Sequence, residues 1–163
     1  METHEKHTTA QGHKAHYGKL LRMTVLSFII MYFLMYAMVD SFSNVIHNVN
    51  QIYMAALMTG AMILVEMLIM WKMYPDKKLN ALIASISALV LILSFVFIRK
   101  QTAVGDKQFL KSMIPHHAAA ILMVRETQLK DPEIQKLGND IISAQQREIE
   151  FMKNKLKQID EQQ

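Results

Sequence analysis

The chain has 163 residues, no cysteine, 14 methionines, 52% hydrophobic residues and a formal net charge of +4. That length holds one soluble domain at most, or a few spanning helices with something smaller attached, and the missing cysteine excludes disulfides and thiolate metal sites, leaving the methionine thioether as the only soft ligand. From Asp106 onward nine Lys/Arg balance nine Asp/Glu, so the positive excess lies in residues 1–105 beside apolar segments, a pattern of membrane orientation rather than nucleic-acid binding.

Residues 1–19 are polar and carry His4, His7, His13 and His16. They read as a solvated segment with at most a loose affinity for metal. Leu20–Val39, interrupted only by Arg22, approaches the roughly 20 residues needed to cross the hydrocarbon core, and is too long for a signal-peptide core. A polar loop, Asp40–Gln51, precedes a second apolar run, Ile52–Trp71, whose one charge is Glu66. A basic turn with Lys72, Pro75, Asp76, Lys77 and Lys78 leads to an uncharged run, Leu79–Ile98, closed by Arg99 and Lys100. The reading is three spanning helices over 20–100.

Gly105-Asp106 then opens a soluble helix with Asp106 as N-cap, expected to run to about Lys130. Asp131-Pro132 opens another, with Asp at the cap, Pro in the first turn and an end near Asp160. Apolar positions recur on one face of each, so residues 105–160 are expected to form an antiparallel hairpin. The fold class is therefore all-α: three transmembrane helices followed by a helical hairpin. The loop between spans one and two has no Lys or Arg, whereas the N-terminal segment and the loop between spans two and three are basic. This puts the N-terminus in the cytoplasm and the hairpin outside, with Arg99, Lys100, Lys107 and Lys111 arguing the other way.

The segment Phe109-Leu-Lys-Ser-Met113-Ile-Pro115-His116-His117 concentrates the chemistry. Pro115 removes the hydrogen bond to the Lys111 carbonyl and is expected to kink the helix. Met113 and His117 share a face at i,i+4, and His116 and Met123 share a neighbouring stripe. Centring the hairpin turn near Asp131 brings His117 level with Gln145 and Met113 level with Ile149, with Glu148 and Met152 close by. Thioether plus imidazole suits Cu(I) better than Mg, Ca or Mn, and Glu148 or Gln145 is placed to accept a ring N–H of a histidine. The same methionines also serve as core filler beside a half-exposed histidine pair.

The stretch GDKQFLKSMIPHHAAAILM…DPEIQKLGNDIISAQQREIEFMKNKL resembles the domain-of-unknown-function-305 (DUF305) family over about a third of the chain. The resemblance implies a ferritin-like helical bundle outside the cytoplasm of a bacterial inner membrane. It also implies copper held by Met113, His116, His117, Met123 and Met152. Longer members have two helix pairs where this chain has one, so a homodimer or higher homo-oligomer is expected to complete a four-helix bundle.

Methionines also punctuate the spans. Met31, Met35 and Met38 fall on one face of the first, and Met54, Met58 and Met62 on one face of the second, at matching depths about a loop centred near Ile46. They read either as a thioether path for a soft metal, with Glu66 beside it, or as helix packing. The functional expectation is a membrane-anchored copper-binding protein for copper tolerance, storage or transfer, with a copper exporter or chaperone as partner. The alternatives are a metal-dependent redox enzyme of ferritin-like type and a metal-free membrane scaffold. No Glu-x-x-His pair of the di-iron kind occurs.

Overall fold

The computed structural model describes the backbone of residues 2–162 and the side chains of residues 16–162. Among these the structure is helical throughout, with no strand: α1 (Glu2–Leu34), α2 (Val49–Met70), α3 (Lys77–Lys100), α4 (Asp106–Glu126) and α5 (Pro132–Glu161). Two short 3₁₀ turns, Met35–Met38 and Phe42–Asn44, lie between α1 and α2. The side chains of His4, His7 and His13 lie outside the described residues. The chain divides into two compact units, one formed by residues up to Tyr32 with Tyr53–Lys100, the other by Phe33–Ile52 with Gln101 onward.

In the first unit three helices are long and apolar enough to cross a membrane: His16–Met38, Val49–Met70 and Lys77–Lys100. Little of each is buried within the chain, 11–22%, so most of their apolar surface is left for lipid or for other helices. Where α2 and α3 meet closely, they meet on small residues: Gly60 is buried on α2 and Ser87 on α3. A Cβ added at Gly60 would lie 3.1 Å from the Ser87 carbonyl oxygen and 3.3 Å from the Leu91 amide nitrogen. With lipid as apolar as leucine, such close backbone approach is the main source of attraction between spans.

The basic turn is tied by hydrogen bonds. Asp76 caps α3 through Oδ1, accepting from the amides of Lys78 (2.9 Å) and Leu79 (3.0 Å). Fully buried Asn80 donates through Nδ2 to the carbonyls of Trp71 and Tyr74 and accepts from the Tyr17 hydroxyl at 2.7 Å. Lys77 Nζ also donates to both carbonyls, at 2.8 and 3.1 Å, so the end of α2 is closed by side chains from α3. Tyr74, stacked at 5.4 Å on Tyr17, donates its hydroxyl to Glu66 at 3.0 Å. Glu66 is thus neither deep in the span nor bare in lipid: its carboxylate reaches the polar turn.

The second unit is built on α4 and α5. Their contacts run in opposite senses: Lys107 pairs with Asp160, His117 with Glu148, and a Cβ at Gly138 would meet Val124 at 2.8 Å. Leu110, Ile114, Ala118 and Ile121 from α4 form one buried cluster with Ile149, Met152 and Leu156 from α5. Val39 and Ile46, from the segment between α1 and α2, pack on the same cluster. That segment is pinned along α4 by Asp40 against Arg125 (3.6 Å), by the Val49 amide donating to Gln108 (3.2 Å), and by Asn50 donating to Ser112 (3.1 Å).

Helix α1 ends at Leu34 and α2 begins at Val49, against expected limits of Val39 and Ile52, and both ends of α4 also differ from the sequence expectation. The N-cap of α4 is Gly105, with Asp106 one residue inside; there its charge still favours the helix N-terminus. The helix stops at Glu126 rather than near Lys130, because Thr127 turns to an extended ψ of 128° and its hydroxyl closes on the Met123 carbonyl at 2.6 Å. Asp131 caps α5 as expected, accepting from the amides of Glu133 and Ile134. The residue after α3, Gln101, has φ 49°, and Ala103 has φ 59°, left-handed positions that end one helix before the next begins.

Two measurements check this account. Gly60→Val is expected to cost about 1–3 kcal/mol by overpacking α2 against α3, read as earlier loss of structure on heating in detergent. Burial, then the hydrogen bond to Glu66 and its charge, push the Tyr74 hydroxyl from 10.0 up to about 12. The folded state therefore holds this proton more tightly than the unfolded chain. The contribution to stability is complete below pH 10 and lost as pH rises towards 12. A phenolate absorbance titration should show one tyrosine ionising late, and Tyr74→Phe should remove that step alone.

Candidate metal centre

The buried line of α4 includes Ile114, His117 and Ile121, spaced three and four, so one imidazole stands where an aliphatic side chain is the rule. His117 is only 8% exposed, and a ring buried to that degree needs partners at both nitrogens. It has them. Nδ1 lies 2.9 Å from the Met113 carbonyl oxygen, one turn back on its own helix. Nε2 lies 2.6 Å from Glu148 Oε2 on α5.

The proton inventory follows. A carbonyl oxygen only accepts, so Nδ1 carries hydrogen and donates. The bond to Glu148 needs one further proton, on Nε2 or on the carboxyl group. A metal ion reaching Nε2 must displace both that proton and the carboxylate. Glu148 is suited to leave, since its side chain is 58% exposed while that of His117 is 10% exposed. The ring is thus held in one orientation by a partner that water can take back.

Two thioethers adjoin it. Met152 belongs to the buried cluster, and Met113 is half-buried and packed against it. The other two expected ligands point elsewhere. His116 is exposed, its ring 6.0 Å from that of His117 and edge-on, and Met123 is 53% exposed. The structure therefore pairs His117 with Glu148, holds Met152 in the same helix seam with Met113 half-buried at its edge, and leaves His116 and Met123 on the outer side of α4. Gln145 is half-buried one turn before Glu148; its Oε1 has no hydrogen-bond partner among the described residues. His117 bonds to Glu148, about one turn beyond the Gln145 that a turn centred near Asp131 puts level with it. Helix α4 continues unbroken through Pro115. Among the described residues no group of three or more His, Asp or Glu converges, so a metal held here relies on sulfur. Two thioethers, an imidazole and a movable carboxylate fit a soft ion such as Cu(I) and are too poor in oxygen for Mg or Ca.

The membrane methionines are less concentrated. Met31 Sδ accepts from Thr59 at 3.8 Å. The expected single face of Met31, Met35 and Met38 is interrupted, because Met35–Met38 is a 3₁₀ turn with about three residues per turn rather than 3.6. Met38 and Met54 are 50% and 39% exposed. Met58 and Met62 line an open apolar groove along α2 with Glu66 and Met70. The buried methionine of this helix is Met67, packed on Leu20 and Tyr74. It lies outside the sequence ladder, and its spacing of seven from Gly60 is the signal that would have found it.

Residues 98–163 match the family model described as "Domain of unknown function (DUF305)". "Uncharacterized protein L153" of Acanthamoeba polyphaga mimivirus is 36% identical over 136 residues, covering 82% of this chain and 88% of that protein. The chain belongs to the DUF305 family. The alignment with the viral protein is longer than the DUF305 segment, so the likeness takes in part of the apolar helices as well. No solved structure matches the chain. The DUF305 segment includes Arg99 and Lys100, the end of α3, as well as the whole of α4 and α5.

The His117–Glu148 bond gives a direct test. Glu148→Leu leaves a buried ring nitrogen without a partner and is expected to cost about 1–3 kcal/mol of stability, whereas Glu148→Gln keeps an acceptor and costs less. Denaturant unfolding of the full chain in detergent reads the difference.

Proposed function

We propose that this protein is a membrane-anchored copper-binding protein that holds Cu(I) through Met113, His117 and Met152, in the service of copper tolerance, storage or transfer. The observation that supports the reading is one imidazole buried in the α4–α5 seam, which also holds Met152 and, at its edge, Met113, with a solvent-exposed carboxylate on its reactive nitrogen. A purely structural position there calls for an aliphatic residue, and a histidine with a displaceable partner is a costly substitute unless its nitrogen is used.

Copper supplies a soft acceptor for sulfur and nitrogen; the residues do the rest. Met113 and Met152 offer thioethers that bind without releasing a proton, so they discriminate by softness. His117 offers Nε2, kept in place by the Nδ1 bond to the Met113 carbonyl. Glu148 holds that nitrogen while no ion is bound, and on binding the proton they share would pass to water. His116 and Met123 provide donors on the outer side, where an ion can be received or passed on.

The anchor is the three apolar helices, read as spans of a bacterial inner membrane with the N-terminus in the cytoplasm. The loop without Lys or Arg and the α4–α5 pair then stand on the far side, where a copper exporter or chaperone would be met. The thioethers of the spans, with Glu66, enter this reading only as an auxiliary path.

The test is Cu(I) binding by the full-length protein in detergent, in competition with a chromogenic Cu(I) chelator. Wild type should bind stoichiometrically, and Met113→Leu with His117→Ala should abolish that binding. Unchanged affinity in the double variant refutes the assignment.

A further inference from the structure

The α4–α5 pair has two broad sides besides its seam, and among the described residues of its own unit only one is covered. On the covered side lies the 39–50 segment, through Val39, Ile46 and the Asp40–Arg125 contact. The opposite side carries a regular apolar pattern on both helices. On α4 it runs Phe109, Met113, His116, Ala120, Met123, spaced four, three, four, three. On α5 it runs Leu137, Ile141, Ala144, Glu148, Phe151 with the same spacing. Each stripe is displaced about 90–110° from its helix's buried line at 100° per residue. Because the helices run in opposite senses, both displacements fall on one side of the pair. Met123, Leu137 and Ile141 indeed line one shallow groove.

This side is open. Phe109 is 52% exposed, Met123 53%, Leu137 57% and Phe151 66%. A single apolar residue on a surface needs no explanation, but a heptad pattern on two adjacent helices does. The exposed parts of the two phenylalanines amount to roughly 250 Å², so two such faces together would bury about 500 Å² from phenylalanine alone. Met123, Leu137 and Ile141 of both copies add a comparable amount, which approaches the ~1,200 Å² of a small specific interface. The matched four-three spacing also lets the face interlock with itself. A carboxylate in its middle, Glu148, makes lipid a poor cover, whereas a protein interface that retains water accepts it, with Oε2 on His117 and the other oxygen hydrated. Anchoring two copies in one bilayer raises their effective concentration.

We propose that this face is covered by the same face of a second copy, giving a four-helix bundle in which His116 and Met123 of both copies complete the soft-metal site begun by Met113 and His117. This rests on the copper reading for the site but not for the interface. It turns the outward pair from stray residues into donors at the centre of an interface, the position where facing helices of such bundles carry their metals.

The experiment measures mass by light scattering for the full-length protein in detergent, without metal and with one equivalent of Cu(I), together with Cu(I) affinity by chelator competition. Wild type should be a dimer in both states. Leu137→Glu with Phe151→Glu, exposed positions outside the ligand set, should give a monomer of unchanged helix content. Its Cu(I) affinity should be at least about tenfold weaker, although every Met and His is intact. A monomeric wild type overturns the interface whatever the variant does, including when that monomer binds lipid vesicles through this face. A monomeric variant that binds Cu(I) as tightly as wild type overturns the shared site. A dimeric wild type that binds no Cu(I) overturns the copper function and leaves the interface standing. Should the double variant misfold, Leu137→Gln with Phe151→Ser serves in its place.

Discussion

The hydrogen bond between His117 Nε2 and Glu148 Oε2, at 2.6 Å, is the constraint on which the α4–α5 pair turns. It sets the register of the two helices, since it is a polar contact with one geometry in a cluster otherwise made of aliphatic contacts that tolerate sliding. It also decides which chemistry is open to the imidazole. With Nδ1 committed to the Met113 carbonyl, the ring has one usable nitrogen, and that nitrogen is closed by a group at the water boundary. An aliphatic residue in the same place would pack more cheaply but would offer nothing to a ligand.

The apolar helices solve a different problem. Helices apolar enough to cross a membrane would find no hydrophobic drive to associate in lipid, and α2 and α3 approach closely at Gly60 and Ser87. At the basic turn the reliance shifts to polar groups. Asn80, Lys77 and Asp76 satisfy the end of α2 and the start of α3 at once, and Tyr17 reaches Asn80 and the Asp76 backbone from α1. Glu66 is absorbed into this network through Tyr74, which explains how a span tolerates a carboxylate.

Much of this was legible in the sequence, and what was not has identifiable causes. The three apolar runs and the two polar helices follow from composition, periodicity and the Asp131-Pro132 start, so their existence and order match the structure. The boundaries moved where a local hydrogen bond overrode the pattern, as Thr127 does at the end of α4. Helix spacing and the turn centre placed His117 near Glu148 and Gln145, but they did not say that His116 is turned outward. Both histidines fit a helical face at the level of sequence, and only the direction of the α4 seam separates them. The methionine ladder shows the reverse error. Its spacing is regular, yet the 3₁₀ turn at Met35–Met38 breaks the face, and Met67, outside the ladder, is the one buried deeply. Thioether spacing in a span cannot by itself distinguish a ligand from packing, because methionine suits both.

The same distinction governs the helix pair, where two classes of donor differ in their surroundings. Met152 and His117 sit among aliphatic side chains, so their positions are fixed by packing before any ion arrives. His116 and Met123 are exposed among the described residues, and a site using them depends on what covers that side. The chain spends its 39–50 segment on the opposite side, with Asp40 held by Arg125 and Asn44 donating to Asp40 at 2.7 Å. One hairpin with a strap on one side is thus half-closed by its own sequence, and the donors it leaves bare are those that a symmetric partner can duplicate. Longer helical bundles reach closure by supplying a second helix pair in the same chain. In the proposed dimer, helices apolar enough to cross a membrane would do part of that work by holding copies in one plane.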